Sequence, residues 1–174
     1  TIHEDIKLSL IVSELEVPHT NLFTNYSDDL LNDVFQLVID DFKDAITAGE
    51  KPTQSWFIFD DLISSGLLAK KFSSLSKMYT NSRKYLCNLF TLTQAYTSVN
   101  KTIRLNCSGM VIFNTSNREL ELIERENSYL KGGRKAFFKL FRSVVEERFQ
   151  FLAIVYSNPF SELYLDSNFE PVRE

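Results

Sequence analysis

The chain has 174 residues and a mass of 20.2 kDa, enough for a single layered core. With 44% hydrophobic and 24% charged residues it reads as a folded globular chain, which excludes a disordered one. A net charge of −4 and a pI near 5.3 exclude a wholly basic nucleic-acid coat, so any contact with a polyanion must come from a local patch. No run approaches the roughly 18 to 20 apolar residues of a membrane span. The opening Thr1-Ile2-His3-Glu4-Asp5 lacks an apolar signal region and a Met, and looks like the inside of a longer protein. Gly is scarce at five residues, whereas Phe reaches fifteen. His3 and His19 are the only histidines, too few for a multi-His metal site and an unpromising basis for a His general base. Cys87 and Cys107 lie in or beside apolar runs without CxxC or Cys/His spacing. They read as buried reduced thiols.

Ile6 to Val12 fits a helix or a strand, Pro18 breaks what precedes it, and Leu22 to Thr24 is a candidate short strand. A helix follows, capped by Ser27 and opened by Asp28 and Asp29. Leu31, Val34, Phe35, Val38, Phe42, Ala45 and Ile46 form its apolar face, and Gly49 and Pro52 end it. Trp56-Phe57-Ile58-Phe59 is a continuous apolar run that predicts a strand buried on both faces. A helix is expected from about Leu67 to Ser82, and strands at Leu86 to Leu92 and Met110 to Phe113. Ser116 and Glu119 form a capping box that opens another helix, stopping at Gly132-Gly133. A helix over 134–148, a strand at Phe151 to Tyr156 and a short strand at Leu163 to Asp166 complete the chain. Alternating strands and helices predict one α/β domain over residues 1–174 around a mostly parallel sheet. Ligands bind such sheets at the carboxyl ends of their strands.

Two strand ends carry suitable groups. One apolar strand ends in Asp60-Asp61 and another in Thr93-Gln94. If the strands are neighbours, Asp60 can hold a hydrated Mg²⁺ while Asp61 and Gln94 handle an attacking water. Carboxylates also leave strands simply to cap the next helix, so this ending is a weak signal alone. The phosphate loop G-x-x-x-x-G-K-[ST] is absent; no Gly-Lys dipeptide occurs, and Gly132-Gly133 follows a helix.

The segment Phe57-Ile58-Phe59-Asp60-Asp61 resembles the Walker B strand of the genome-packaging ATPases of poxviruses and other large DNA viruses, within the FtsK/HerA group of P-loop DNA motors. Ser82-Arg83-Lys84, the strand after it, Gln94 and Tyr96 are similar to the family's Gly-Arg-His segment, sensor strand, Gln and Tyr. Ile103-Arg104-Leu105-Asn106, Phe113-Asn114, Lys131-Gly132-Gly133-Arg134-Lys135 and Leu152 to Tyr156 continue the likeness in order, over about residues 55 to 160. Ser82 and Lys84 depart from the family's Gly and His.

The resemblance implies a RecA-like P-loop NTPase core that here lacks the Walker A strand and loop, the chain beginning just after them. A sheet without that strand is expected to expose two interior edges. It also implies ATP and Mg²⁺ as cofactors, with Asp60 on the metal's water shell, Asp61 in place of the catalytic acid, and Gln94 and Thr93 near the γ-phosphate. Arg83 and Arg104 become candidates for an arginine given to a neighbouring subunit's nucleotide. The implied activity is ATP-driven packaging of double-stranded DNA by a homo-oligomeric ring, with capsid-vertex or membrane components as partners. The setting would be viral, in the host cytoplasm (virus factory) and the virion, and this chain alone would be inactive.

Lys131, Arg134, Lys135, Lys139 and Arg142 concentrate cations with no acid among them, and three of them share a helix face that could track DNA phosphates. A solvated face over a Phe-rich core is the plainer alternative. Glu119, Glu121, Glu124 and Glu126 read as a helix face paired with Arg118 and Arg125, and Tyr96 and Trp56 as packing. Competing functions are a Mg²⁺-dependent nuclease or resolvase using Asp60 and Asp61, which needs a third carboxylate, and a P-loop-free regulatory or structural subunit.

Overall fold

The computed structural model describes residues 12–14, 16–23, 26–60, 66, 68–71 and 73–172. Where one domain over residues 1–174 is expected, the chain divides by its packing into two compact units, Thr1–Thr53 and Gln54–Glu174. Of the ambiguous Ile6 to Val12 segment only Val12 is described, in a short helical stretch. Leu22 and Phe23 form no strand, and Thr24 lies outside the described residues.

In the first unit a 3-10 turn at His19–Asn21 precedes helix α1, Asp28–Ala48. Its ends are those the sequence indicates. The Ser27 hydroxyl accepts from the Leu30 N–H at 3.0 Å, and Asp28 and Asp29 sit at the positive end of the helix dipole. Gly49 closes it at φ 73°, a left-handed conformation that suits glycine, and the Glu50 N–H returns to the Ala45 carbonyl at 2.8 Å.

The second unit opens with β1, Ser55–Asp60, running parallel to β2, Cys87–Leu92. Successive residues of a strand face opposite ways. Phe57 and Phe59 turn to the covered side, whereas Trp56 and Ile58 stay 60% and 57% exposed. The expectation of burial on both faces is therefore corrected. The apolar run is continuous because Trp56 stacks on Phe90 of β2, ring centres 5.6 Å apart, on the open face.

Between these strands lies α2, Ser74–Asn81, shorter than expected. Ser73 starts it late, its buried hydroxyl accepting from the Ser76 N–H at 3.2 Å. Leu68 is buried in a turn rather than a helix, and Leu67 and Phe72 lie outside the described residues. A 3-10 turn, Ser82–Tyr85, leads into β2. The short helix α3, Lys101–Asn106, was not anticipated; Asn100 caps it, its side-chain oxygen accepting from the Ile103 N–H at 3.1 Å.

Strands β3, Gly109–Phe113, β4, Phe151–Val155, and β5, Tyr164–Leu165, form a second sheet in that order. Both pairings are antiparallel, so where a mostly parallel sheet is expected, β1 and β2 are the parallel pair among the described strands. The cause is the connection. Among the described residues one α-helix, α2, lies between β1 and β2, whereas two helices, α4 (Asn117–Asn127) and α5 (Gly133–Val144), separate β3 from β4. Arg142 meets Asn117 and Arg134 meets Glu124, so these helices run antiparallel and return the chain to the end it left. Each helix stops sooner than expected, α4 at Asn127 and α5 at Val144.

Leu120 and Ile123 of α4, Phe137 and Phe141 of α5, and Leu152 and Ile154 of β4 are the heart of one core. Gly109 allows β3 to lie close on β4, because a Cβ there would stand 2.7 Å from the Ile154 carbonyl oxygen. Phe137 is fully buried against Tyr164, ring centres 5.9 Å apart. Phe137→Ala should cost about 3–5 kcal/mol of unfolding free energy, read from urea denaturation; a loss under about 1 kcal/mol would show that this core is not close-packed.

Candidate functional site

Parallel pairing brings the carboxyl ends of β1 and β2 to one rim. Asp60 stands opposite Leu92, and Thr93 and Gln94 follow immediately, all three exposed. Asp61 lies outside the described residues. Beneath the rim the Tyr79 hydroxyl meets the Thr91 hydroxyl at 2.8 Å, and burial pushes the Tyr79 phenol up to about 12. Burial likewise raises the thiols of Cys87 and Cys107 to about 11, so both stay protonated and unreactive at neutral pH. Cys87 is buried and Cys107 half-buried.

Thr93 is committed to shaping the loop. Its hydroxyl accepts from the Ala95 N–H at 3.3 Å and donates to the Ala95 carbonyl at 3.2 Å. The Ser98 hydroxyl donates to the same carbonyl at 2.6 Å, closing a 3-10 turn at Tyr96–Ser98. Asn100 ties the loop's far end to the turn before α2, donating to the Lys70 carbonyl at 2.8 Å and the Ser76 hydroxyl at 3.0 Å. Gln94 thus sits at the tip of a loop held at both ends.

The two candidate arginines differ sharply. Arg83 is exposed and uses one nitrogen, donating at 3.2 Å to the Asn106 carbonyl and to the Ser108 hydroxyl. Arg104 is 11% exposed, and all three of its guanidinium nitrogens donate within the chain. Nε and Nη2 form a bidentate pair with the Glu126 carboxylate at 2.9 and 2.8 Å, and Nη1 donates to the Val99 carbonyl. Its carbon lies 4.9 Å from the centre of the Tyr96 ring.

Tyr96 is therefore packing, as expected, and also part of a hydrogen-bonded cluster that the sequence does not announce. Its hydroxyl donates to Glu126 at 2.8 Å. Asn127 donates to Tyr96 at 3.3 Å and accepts from Tyr156 at 2.6 Å. Burial is the main cause that raises the Tyr96 phenol to about 12. The expected pairing of the α4 carboxylates with Arg118 and Arg125 is corrected: among the described residues Glu126 pairs with Arg104, and Glu121 and Glu124 with Arg134. Glu119, expected to complete a capping box, instead accepts from the Thr97 N–H at 2.9 Å and hydroxyl at 2.6 Å. Ser116 still caps the helix through the Glu119 N–H at 3.3 Å. Sequence spacing pointed to Glu119, but nothing local named its distant partner.

On α5 the cations lie opposite the core. Phe137, Leu140, Phe141 and Val144 are buried, whereas Arg134, Lys135, Lys139 and Arg142 are exposed, as is Lys131 ahead of the helix. The structure separates these cations by role. Arg134 is held by Glu124 at 3.2 Å and Glu121 at 3.8 Å, and Arg142 reaches Asn117 at 3.5 Å over the Phe138 ring. Lys131, Lys135 and Lys139 make no ion pair among the described residues.

The hydrogen bond from Arg104 is the main cause that holds the Glu126 carboxyl below its ordinary value of 4.5. A carboxyl depressed by folding contributes stability that is complete above its unfolded value and is lost as pH falls through the folded one. The unfolding free-energy difference between the native chain and Glu126→Gln should thus be constant near neutrality and shrink below about pH 4.5. A difference independent of pH would show that the ionised pair is not what Glu126 contributes.

Solved structures share this fold, two viral packaging enzymes among them. One is B204, the DNA-packaging ATPase of Sulfolobus turreted icosahedral virus, with a TM-score of 0.51 and 15% identity over 82% of this chain. The other is the genome-packaging NTPase B204 of Sulfolobus turreted icosahedral virus 2, in complex with ATPγS, with a TM-score of 0.52 and 13% identity over 87% of this chain. The chain spans 63% of the first and 74% of the second. The likeness bears out the α/β, RecA-like core. No curated protein matches the chain significantly. The family described as Poxvirus A32 protein is matched across residues 19–168, and the chain belongs to that family.

Proposed function

We propose that the complete protein is an ATP-driven motor of the FtsK/HerA group that packages double-stranded viral DNA, and that this chain supplies its Walker B and sensor strands. The observation that carries this reading is the parallel register of β1 and β2, which sets Asp60 beside the strand leading into Thr93 and Gln94. Family membership and a fold shared with two packaging NTPases, one solved with ATPγS, support it.

The residues present fit Mg²⁺ carried by a nucleotide. Among the described residues no group of three or more His, Cys, Asp or Glu could cage a metal ion, whereas one exposed carboxylate at the rim suits Mg²⁺ that keeps its waters and phosphate ligands. The nuclease reading needs a third carboxylate, and the strand beside β1 leads into Thr93 and Gln94 instead. When bound, Mg²⁺-ATP supplies the phosphoryl group and the charge that neutralises it.

Asp60 would then accept from the ion's water shell, Asp61 would take a proton from the attacking water, and Gln94 would orient that water. Thr93 shapes the loop that presents Gln94. Arg83, exposed and lightly held, is the arginine proposed to reach a neighbouring subunit of a ring; Arg104, tied within its own chain, is the poorer candidate. Lys131, Lys135 and Lys139 would track DNA phosphates, with Arg134 and Arg142 anchored beside them. The Walker A motif is not in this sequence, so the chain alone is expected to be inactive. The motor would work on the capsid vertex or membrane components, in the virus factory and virion.

In the full-length protein, Asp61→Asn and Gln94→Ala should each lower DNA-stimulated ATP turnover about 100-fold or more while ATP binding is retained. Turnover within about threefold of the native rate would refute the assigned roles. Lys135→Glu with Lys139→Glu should weaken binding to all DNA sequences alike and make the slope of log K against log salt shallower by about 2. A loss confined to particular sequences would point away from a phosphate track.

A further inference from the structure

Helix α4, Asn117–Asn127, carries two polar stripes on opposite sides. Glu119 and Glu126 lie two turns apart on one side; Asn117, Glu121 and Glu124 lie on the other. The first stripe grips the loop that presents Gln94. Glu119 takes both the N–H and the hydroxyl of Thr97, and Glu126 takes the Tyr96 hydroxyl and the Arg104 guanidinium. The second stripe grips the basic helix α5, through Arg134 on Glu121 and Glu124 and Arg142 on Asn117. Leu120 and Ile123, buried between the stripes, fasten α4 to the core.

A packed helix moves as a rigid body, so displacement of one stripe is felt at the other. We infer that α4 couples the basic helix to the sensor loop, with Glu119 as the positioning residue that passes a shift of α5 to Thr97 and hence to Gln94. The inference rests on the motor reading above. Glu119 is singled out because its carboxylate leaves its own helix end, where a capping box would hold it, for a loop 22 residues away in sequence, while Ser116 still caps α4. DNA bound along Lys135 and Lys139 would thereby set the position of the group that orients water.

The test uses the full-length protein with Mg²⁺-ATP, measuring kcat and KM with and without double-stranded DNA, DNA affinity, and the thermal midpoint. For Glu119→Ala, the ratio of DNA-stimulated to DNA-free kcat should fall roughly tenfold, with KM for ATP and DNA affinity near native. Glu119→Gln, whose amide oxygen can still accept from the Thr97 N–H, should recover much of the ratio. Thr97→Val, which removes one hydroxyl and little else, should shift it in the same direction by less, and serves if Glu119→Ala does not fold. A native ratio in both Glu119→Ala and Thr97→Val would overturn the coupling while leaving the motor reading intact. So would a loss in which both rates fall by one factor. Native protein without DNA-stimulated hydrolysis would overturn the motor reading, and the coupling with it.

Discussion

The Arg104–Glu126 pair stands where α3, α4 and the loop after β2 meet, and its geometry dictates the arrangement of all three. Both charges are largely withdrawn from water, at 11% and 19% exposure, which is costly unless their hydrogen-bonding capacity is filled. It is filled here by a planar fork, with both carboxylate oxygens engaged, the Val99 carbonyl on the third nitrogen and the Tyr96 ring against the guanidinium face. Moving the loop would strip several partners from a largely buried cation together. The place of the Gln94 loop thus rests on charge burial as well as on the turn that Thr93 and Ser98 close.

From that pair the bonding runs inward. Asn127 joins Tyr96 to Tyr156, and its carbonyl accepts from the Tyr164 hydroxyl at 2.8 Å, which in turn accepts from the Tyr129 N–H at 3.0 Å. The parallel rim is thereby tied to the end of α4 and to the antiparallel sheet. This division of labour follows from chain connectivity. The crossing that includes α2 runs β2 parallel to β1 and brings two strand ends together, where ligands bind in such sheets. The helix pair α4 and α5 reverses β4 and builds a scaffold with a packed inner face.

Much of the local structure was legible. Ser27 and Ser116 each accept the backbone bond their residue type favours, and Gly49 takes the left-handed turn. The candidate rim was also legible in Asp60, Thr93 and Gln94, because a parallel strand order places such ends together. Less visible were the exposure of Trp56 and Ile58, since an apolar run has the same letters whether one face or both are covered. The short α3 and the late start of α2 escaped because one Asn or Ser can cap a helix or sit in a turn equally well.

By itself, the sequence determined where the described strands lie, where α1 and α4 begin, and which side of α5 carries cations. These depend on residues within a few positions of one another. Only the tertiary structure decided what each charge does. Arg104 and Arg83 look alike as letters, yet one is locked to Glu126 and the other lies open; Arg134 is held by α4 while Lys135 and Lys139 are not. Partners 22 residues apart in sequence meet only once the sheets and helices have packed, so the roles of Glu119 and Glu126 belong to the fold and not to any local pattern.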